Sequence, residues 1–145
     1  MKTILTLVLA SLSMTAADTD RPATLYQRLG GQAAVTAVVD DFVTRVLADG
    51  RVNHWFEHAA ADPARAAAYK AMLGDFVCQA AGGPCKYKGK DMVAAHKGRA
   101  VTGPAFEAVV QDLTATLQHL HVPAKEQRDL MALLGPLQTA IVSVP

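Results

Sequence analysis

The sequence predicts an all-α fold, and two observations carry that prediction. Apolar residues recur at steps of three and four over several long stretches, and none sustains the strict alternation of a half-buried strand. Glycine and proline cluster mostly between those stretches, where they punctuate separate helices. At 145 residues, 51% hydrophobic and 19% charged, the chain suits one compact domain and is not a disordered polymer. A formal net charge of +1 gives no sign of a nucleic-acid or acidic-membrane partner.

At the N-terminus, Lys2 precedes an apolar run from Ile4 to Leu12 and then the small residues Thr15, Ala16 and Ala17. That order reads as a signal peptide over 1–17, cut after Ala17 or Ala16. The run is shorter than the roughly 20 apolar residues that a spanning helix needs. An apolar first helix of the domain is the other reading. A polar linker, 18–24, follows, then a domain over 25–145. The expectation is a periplasmic or secreted protein with no membrane span after cleavage.

Gly30-Gly31 separates a first turn from a helix carrying Val35, Val38, Val39, Phe42, Val46 and Leu47 on one face, closed by Gly50. A short stretch bears Trp55 and Phe56, and Asp62-Pro63 has the form of a cap followed by a first-turn proline. The next helix shows Tyr69, Met72, Leu73, Phe76, Val77 and Ala80 on one stripe and stops at Gly82-Gly83-Pro84. Cys85 to Lys90 is basic and without period, hence a loop. Met92 and His96 then share a brief helix that Gly98 closes. One long helix follows with Phe106, Val109, Val110, Leu113, Leu117 and Leu120. The last carries Leu130, Leu133, Leu134, Leu137 and Ile141; Pro123 opens it and Pro136 should kink it. The irregular segment from Ala81 to Ala100 is longer than a helical domain needs as a connection, and such loops often hold or cover a ligand.

Export would place Cys78 and Cys85 in an oxidising compartment. They flank a turn that could bring them within bonding distance; two unpaired, partly buried thiols are the alternative. There is no C-x-x-C-H for covalent heme attachment.

Among five histidines, His119 and His121 fall at a polar helix end, where solvation explains them. His96 stands on a one-turn helix after the irregular loop and faces the same way as Met92. Spacing alone leaves it either a structural side chain or a metal ligand. His54-Trp55-Phe56-Glu57-His58 fits H-x-x-E-H, in which two histidines one helical turn apart bind zinc and Glu57 is the general base of a hydrolase. That reading lacks a third protein ligand, and the helix there is short. No G-x-S-x-G, P-loop or dinucleotide fingerprint is present.

The order of features resembles the group I truncated hemoglobins. The likeness runs from Leu25-Tyr26-Gln27-Arg28-Leu29-Gly30-Gly31 through Asp41 to Asp49, Trp55-Phe56, Gly82-Gly83-Pro84, Tyr87-Lys88-Gly89 and Met92 to Gly98, and reaches Val122-Pro123. It covers nearly all of the domain, and it is the combination of spaced motifs that is specific. The resemblance implies a two-over-two helical sandwich around heme b, with 25–145 as the truncated globin domain. His96 matches the proximal histidine that ligates iron, and Phe56 the aromatic residue packed on the porphyrin. Phe42, Leu73, Met92 and Phe106 would line the apolar pocket, although ordinary core packing explains each of them as well. A ligating imidazole needs an acceptor for its second nitrogen, and the Met92 carbonyl one turn earlier suits. Lys88, Lys90 and Arg99 flank the site and could pair with heme propionates. Arg99 is the best suited because a guanidinium grips a carboxylate through two donors; solvation explains the lysines equally.

The distal side departs from the family. Val43 stands where many members have a tyrosine, and Leu73 where a glutamine is common. Tyr69 is the polar residue left there. It is either a hydrogen-bond donor to bound gas, a ligand of ferric iron once deprotonated, or a phenol whose tip reaches solvent. Gln138 stands near the place of the histidine that links heme covalently in some relatives. The expected function is therefore reversible binding of dioxygen or another diatomic gas (NO, CO) by an exported heme globin that needs an electron donor. Turnover with nitric oxide or peroxide stays open. A zinc hydrolase on His54, Glu57 and His58, or a helical interaction protein without cofactor, are the rivals.

Overall fold

A computed structural model describes residues 21–144 of the chain. The expected leader, 1–17, and residues 18–20 of the expected linker lie outside the described residues. The first helix, α1 (Leu25–Leu29), starts on a reciprocal cap in which the Thr24 side chain accepts from Gln27 N–H and the Gln27 side chain accepts from Thr24 N–H. Gly30, at φ +111°, ends α1 and opens α2 (Gly31–Ala48), a backbone that side-chain-bearing residues rarely adopt. Asp62 caps α3 (Pro63–Ala80) by accepting from Arg65 N–H, with Pro63 in the first turn as expected.

Three further helices complete the frame: α4 (Met92–His96), α5 (Gly103–His119) and α6 (Ala124–Leu134). The expected kink at Pro136 is instead a break. A 3-10 turn over Gly135–Leu137 separates α6 from a short α7 (Gln138–Ile141). The proline ring removes one N–H and clashes with the carbonyl four residues back, so the helix restarts rather than bends. Pro123 sits at the cap of α6, one residue before its first turn. Among the described residues the fold is all-α; the sole pairing outside helices is a bridge between Thr102 and Val144.

α2 is the central element and packs against both α3 and α5, while α1 packs on α6 and α4 on α7. Val35, Val39, Val43 and Val46 of α2, Val77 and Cys78 of α3, Leu117 of α5 and Leu130 of α6 form the buried core. Ala80, expected on the inner stripe of α3, is exposed, and Cys78 takes the interior instead. Charged clips join the helices around this core. Arg28 reaches Glu126 and Asp129 across α1 and α6, and Asp41 accepts from Thr116 and Arg45 between α2 and α5. Further along the α2–α5 seam, Arg51 holds Asp49 down to about 2. Burial, and then the charge of Asp49, pushes the neighbouring Asp112 carboxyl above the usual carboxylate range.

A cavity built around a five-residue helix

Several large apolar side chains of α3 and α5 are not fully buried in the core. Tyr69, Leu73 and Phe76 of α3, and Phe106, Val109 and Leu113 of α5, are only half-buried, and Met72 remains 42% exposed. The reason is a cavity of about 560 Å³ between them, far larger than the voids a close-packed interior leaves. Helix stripes that would otherwise pack on each other face a shared space. Its walls are overwhelmingly apolar, so water would fill it poorly.

All eight residues singled out from the sequence line this one cavity: Phe42, Phe56, Tyr69, Leu73, Met92, His96, Arg99 and Phe106. On the α2 side the lining comes from Val38, Val39 and Phe42. Val43, the position of the missing distal tyrosine, is 2% exposed in the core and lines none of it. From the last helices Leu130, Leu137 and Ile141 also reach it, and Gln138 does not.

His96 owes its position to local capping. Asp91 accepts from Ala94 N–H, which starts α4 at the end of an irregular loop. The His96 Nδ1 lies 2.8 Å from the Met92 carbonyl oxygen. A carbonyl only accepts, so Nδ1 carries the hydrogen and Nε2 keeps its lone pair. That is the tautomer a metal ligand requires, and the ring lines the cavity. Beyond α4 the chain is pinned by the Trp55 indole, which donates to the Arg99 carbonyl at 2.9 Å. The Arg99 Nε donates back to Ala95, so its two terminal nitrogens stay available for an acidic group.

The loop ahead of α4 is held from several sides. Cys78 and Cys85 form a disulfide, deciding the alternative that the sequence left open. Tyr87 N–H donates to the Gln79 side chain, and the Tyr87 ring meets Phe76 edge-on at 5.1 Å. A side chain at Gly89 would collide with the Tyr87 ring. Sequence reasoning passed over Trp55 and Tyr87 as site residues. The one available signal was an aromatic side chain within an otherwise polar, aperiodic stretch.

Three hydroxyl-bearing residues line the cavity. Tyr87 and Thr114 donate to the carbonyls of Lys90 and Val110, which leaves the Tyr69 hydroxyl as the one with no hydrogen-bond partner among the described residues. Burial pushes the Tyr69 phenol up to about 12, opposed by the charge of Arg99 and reinforced by Tyr87. It is therefore neutral across the physiological pH range in the heme-free protein. Tyr69 also meets Phe56 edge-on, with ring centroids 6.3 Å apart.

The zinc constellation does not assemble. A 3-10 turn over Asn53–Trp55 replaces the helix it requires. His54 stacks on Trp55, His58 lies 3.4 Å from an Arg65 nitrogen, and no cluster of three metal-ligating side chains occurs among the described residues. At the polar end of α5, the exposed His119 ring lies 3.8 Å from Asp41.

The family model of bacterial-like globins matches residues 24–143. The chain is 40% identical over 103 residues to a group 1 truncated hemoglobin of Tetrahymena pyriformis, covering 71% of this chain and 81% of that protein. It is likewise 40% identical over 116 residues to one from Synechocystis, covering 77% and 90%. Among solved structures, the ferric Tetrahymena pyriformis truncated hemoglobin superposes with a TM-score of 0.76 at 32% identity, over 83% of this chain and 98% of that one. The 2/2 hemoglobin of a Synechococcus species, with covalently attached heme, gives 0.71 at 35% identity over 80% and 94%.

Proposed function

Because the chain belongs to the bacterial-like globins, within the group I truncated hemoglobins, we propose that it holds heme b in its apolar cavity and reversibly binds a diatomic gas there. The observation that carries the reading is His96, a cavity-lining imidazole whose Nδ1 is spent on Met92 and whose Nε2 is the ring's basic nitrogen. When bound, the heme supplies an iron centre with one position for an imidazole and one for a small gas. His96 would take the imidazole position. Its hydrogen bond fixes the tautomer and raises the basicity of the ligating nitrogen. Phe42, Phe56, Leu73, Met92 and Phe106 would hold the group in apolar surroundings and exclude water, and Arg99, with its terminal nitrogens uncommitted among the described residues, would suit a propionate. Tyr69, also lining the cavity, would supply a hydroxyl donor to a bound gas. Gln138, near the place of the histidine used for covalent attachment, carries no imidazole for it.

Dioxygen, nitric oxide and carbon monoxide all suit this site. Turnover with nitric oxide or peroxide is a further activity of the same centre and depends on an electron donor. Export to the periplasm or beyond is supported by the charged, apolar and small-residue order of 1–17, and by a disulfide of the kind that persists in oxidising compartments.

An absorption spectrum tests the central reading. Added heme should give a Soret band whose ligand-field features vanish in His96→Ala and persist in His54→Ala. A heme spectrum indifferent to His96 sinks it, and zinc by metal analysis without heme uptake favours the hydrolase reading.

A further inference from the structure

The net charge of +1 hides a strong asymmetry. Arg28, Arg45, Arg51, Arg65, Lys70 and Lys125 each pair with a carboxylate of the fold. The cations of residues 86–99 do not. Lys86, Lys88, Lys90, Lys97 and Arg99 are all exposed, and none has an acidic partner among the described residues. The only carboxylate in that segment, Asp91, is turned to the Ala94 N–H at the start of α4.

These cations alternate along the chain with residues that line the cavity. Tyr87 lies between Lys86 and Lys88, and Lys97 follows His96 directly. The unneutralised charge therefore lies on the segment that carries His96 and contributes Tyr87, Met92, Ala95, His96 and Arg99 to the cavity lining. Heme b carries two propionates. Together with Asp91 they offset three of the five charges and leave the face cationic in the loaded protein. A residual positive field of this kind steers an acidic partner to one orientation and raises its encounter rate.

We propose that residues 86–99 form the docking face for an acidic one-electron carrier protein that reduces this globin. The inference rests on the heme reading above, since a ferric centre must be returned to the ferrous state before it binds dioxygen. In the step, one electron leaves the reduced centre of the carrier and the ferric centre of the globin takes it up. The carrier is oxidised by one electron, no bond forms or breaks, and no proton moves. Val93, 61% accessible within the same segment, offers a small apolar contact among these charges.

The test uses the heme-loaded protein and a plant-type [2Fe–2S] ferredoxin, an acidic one-electron carrier, as probe. Calorimetry measures binding at about 20 and about 200 mM salt, and stopped-flow absorbance measures the reduction rate. Lys86→Glu/Lys97→Glu reverses two charges that are not assigned to heme. It should weaken binding and slow reduction at least fivefold, with the Soret band unchanged. Arg128→Glu reverses an exposed, unpaired charge elsewhere and should change either value less than twofold. Wild-type binding should weaken with salt. No binding, binding indifferent to salt, or equal losses in both variants overturns the proposal. So does tighter, Lys86- and Lys97-dependent binding to vesicles of phosphatidylserine, which would make the face a lipid contact. A chain that takes up no heme fails the earlier reading instead, and the absorption spectrum recorded beforehand distinguishes the two failures.

Discussion

The His96 Nδ1 sits 2.8 Å from the carbonyl oxygen of Met92, one helical turn earlier on the same five-residue helix. An isolated helix of that length has no stability of its own. The orientation of the imidazole therefore depends on whatever keeps α4 wound, and the Asp91 cap is the most local of those supports.

Asp91→Ala should cost about 1 kcal/mol of stability, the usual loss for such a cap. Its larger effect should be on heme retention, because Met92 and His96 lose their register together. Transfer of heme to excess apomyoglobin should quicken several-fold, with global urea stability changed only slightly. An unaltered transfer rate would show that packing on α7, not the cap, orients His96.

Tyr69→Phe removes the cavity's one uncommitted hydroxyl while preserving its ring contact with Phe56. A neutral hydrogen bond to the ligand is worth about 1–1.5 kcal/mol, so dioxygen should dissociate about tenfold faster. Flash photolysis or stopped-flow mixing measures this. An unchanged rate excludes Tyr69 as the distal donor.

The same phenol makes a pH prediction for the heme-free protein. Its folded value of about 12 lies above the 10.0 of an unperturbed tyrosine, so the folded state holds the proton more tightly than the unfolded chain. That contribution is complete below pH 10 and is lost as pH rises through about 12. The urea midpoint should fall across this window, less steeply in Tyr69→Phe. Ultraviolet titration should show one phenol ionising late among the tyrosines.

Replacing both cysteines, Cys78→Ala/Cys85→Ala, should lower unfolding free energy by about 2–3 kcal/mol, the expected worth of closing so short a loop. The loop it closes also carries Tyr87, so heme should leave the variant faster. Alkylation of wild type should add mass only after reduction; alkylation without reductant would show free thiols.

Much of this architecture was legible in the chain. The periodic valines of α2, the Asp62-Pro63 start of α3 and the brief helix of Met92 and His96 are local features, set by side-chain spacing and capping chemistry within a few residues. The break at Pro136 was legible only as a disturbance. Whether a proline kinks a helix or ends it depends on what the next turn can pack against, and here Leu137 and Ile141 reach the cavity.

The sequence by itself determined the helices, their apolar stripes and the identity of every cation. Only the tertiary structure decided that the stripes of α3 and α5 face an open cavity instead of each other, since periodicity records which side is apolar and not what lies opposite. It likewise decided which charges are spent. A net charge sums over the chain, whereas neutralisation acts over a few ångströms: acids distant in sequence reach Arg28 and Lys70, and among the described residues none reaches the cations beside His96. The histidine was visible as a residue; its free nitrogen, apolar cavity and cationic surround exist only in the fold.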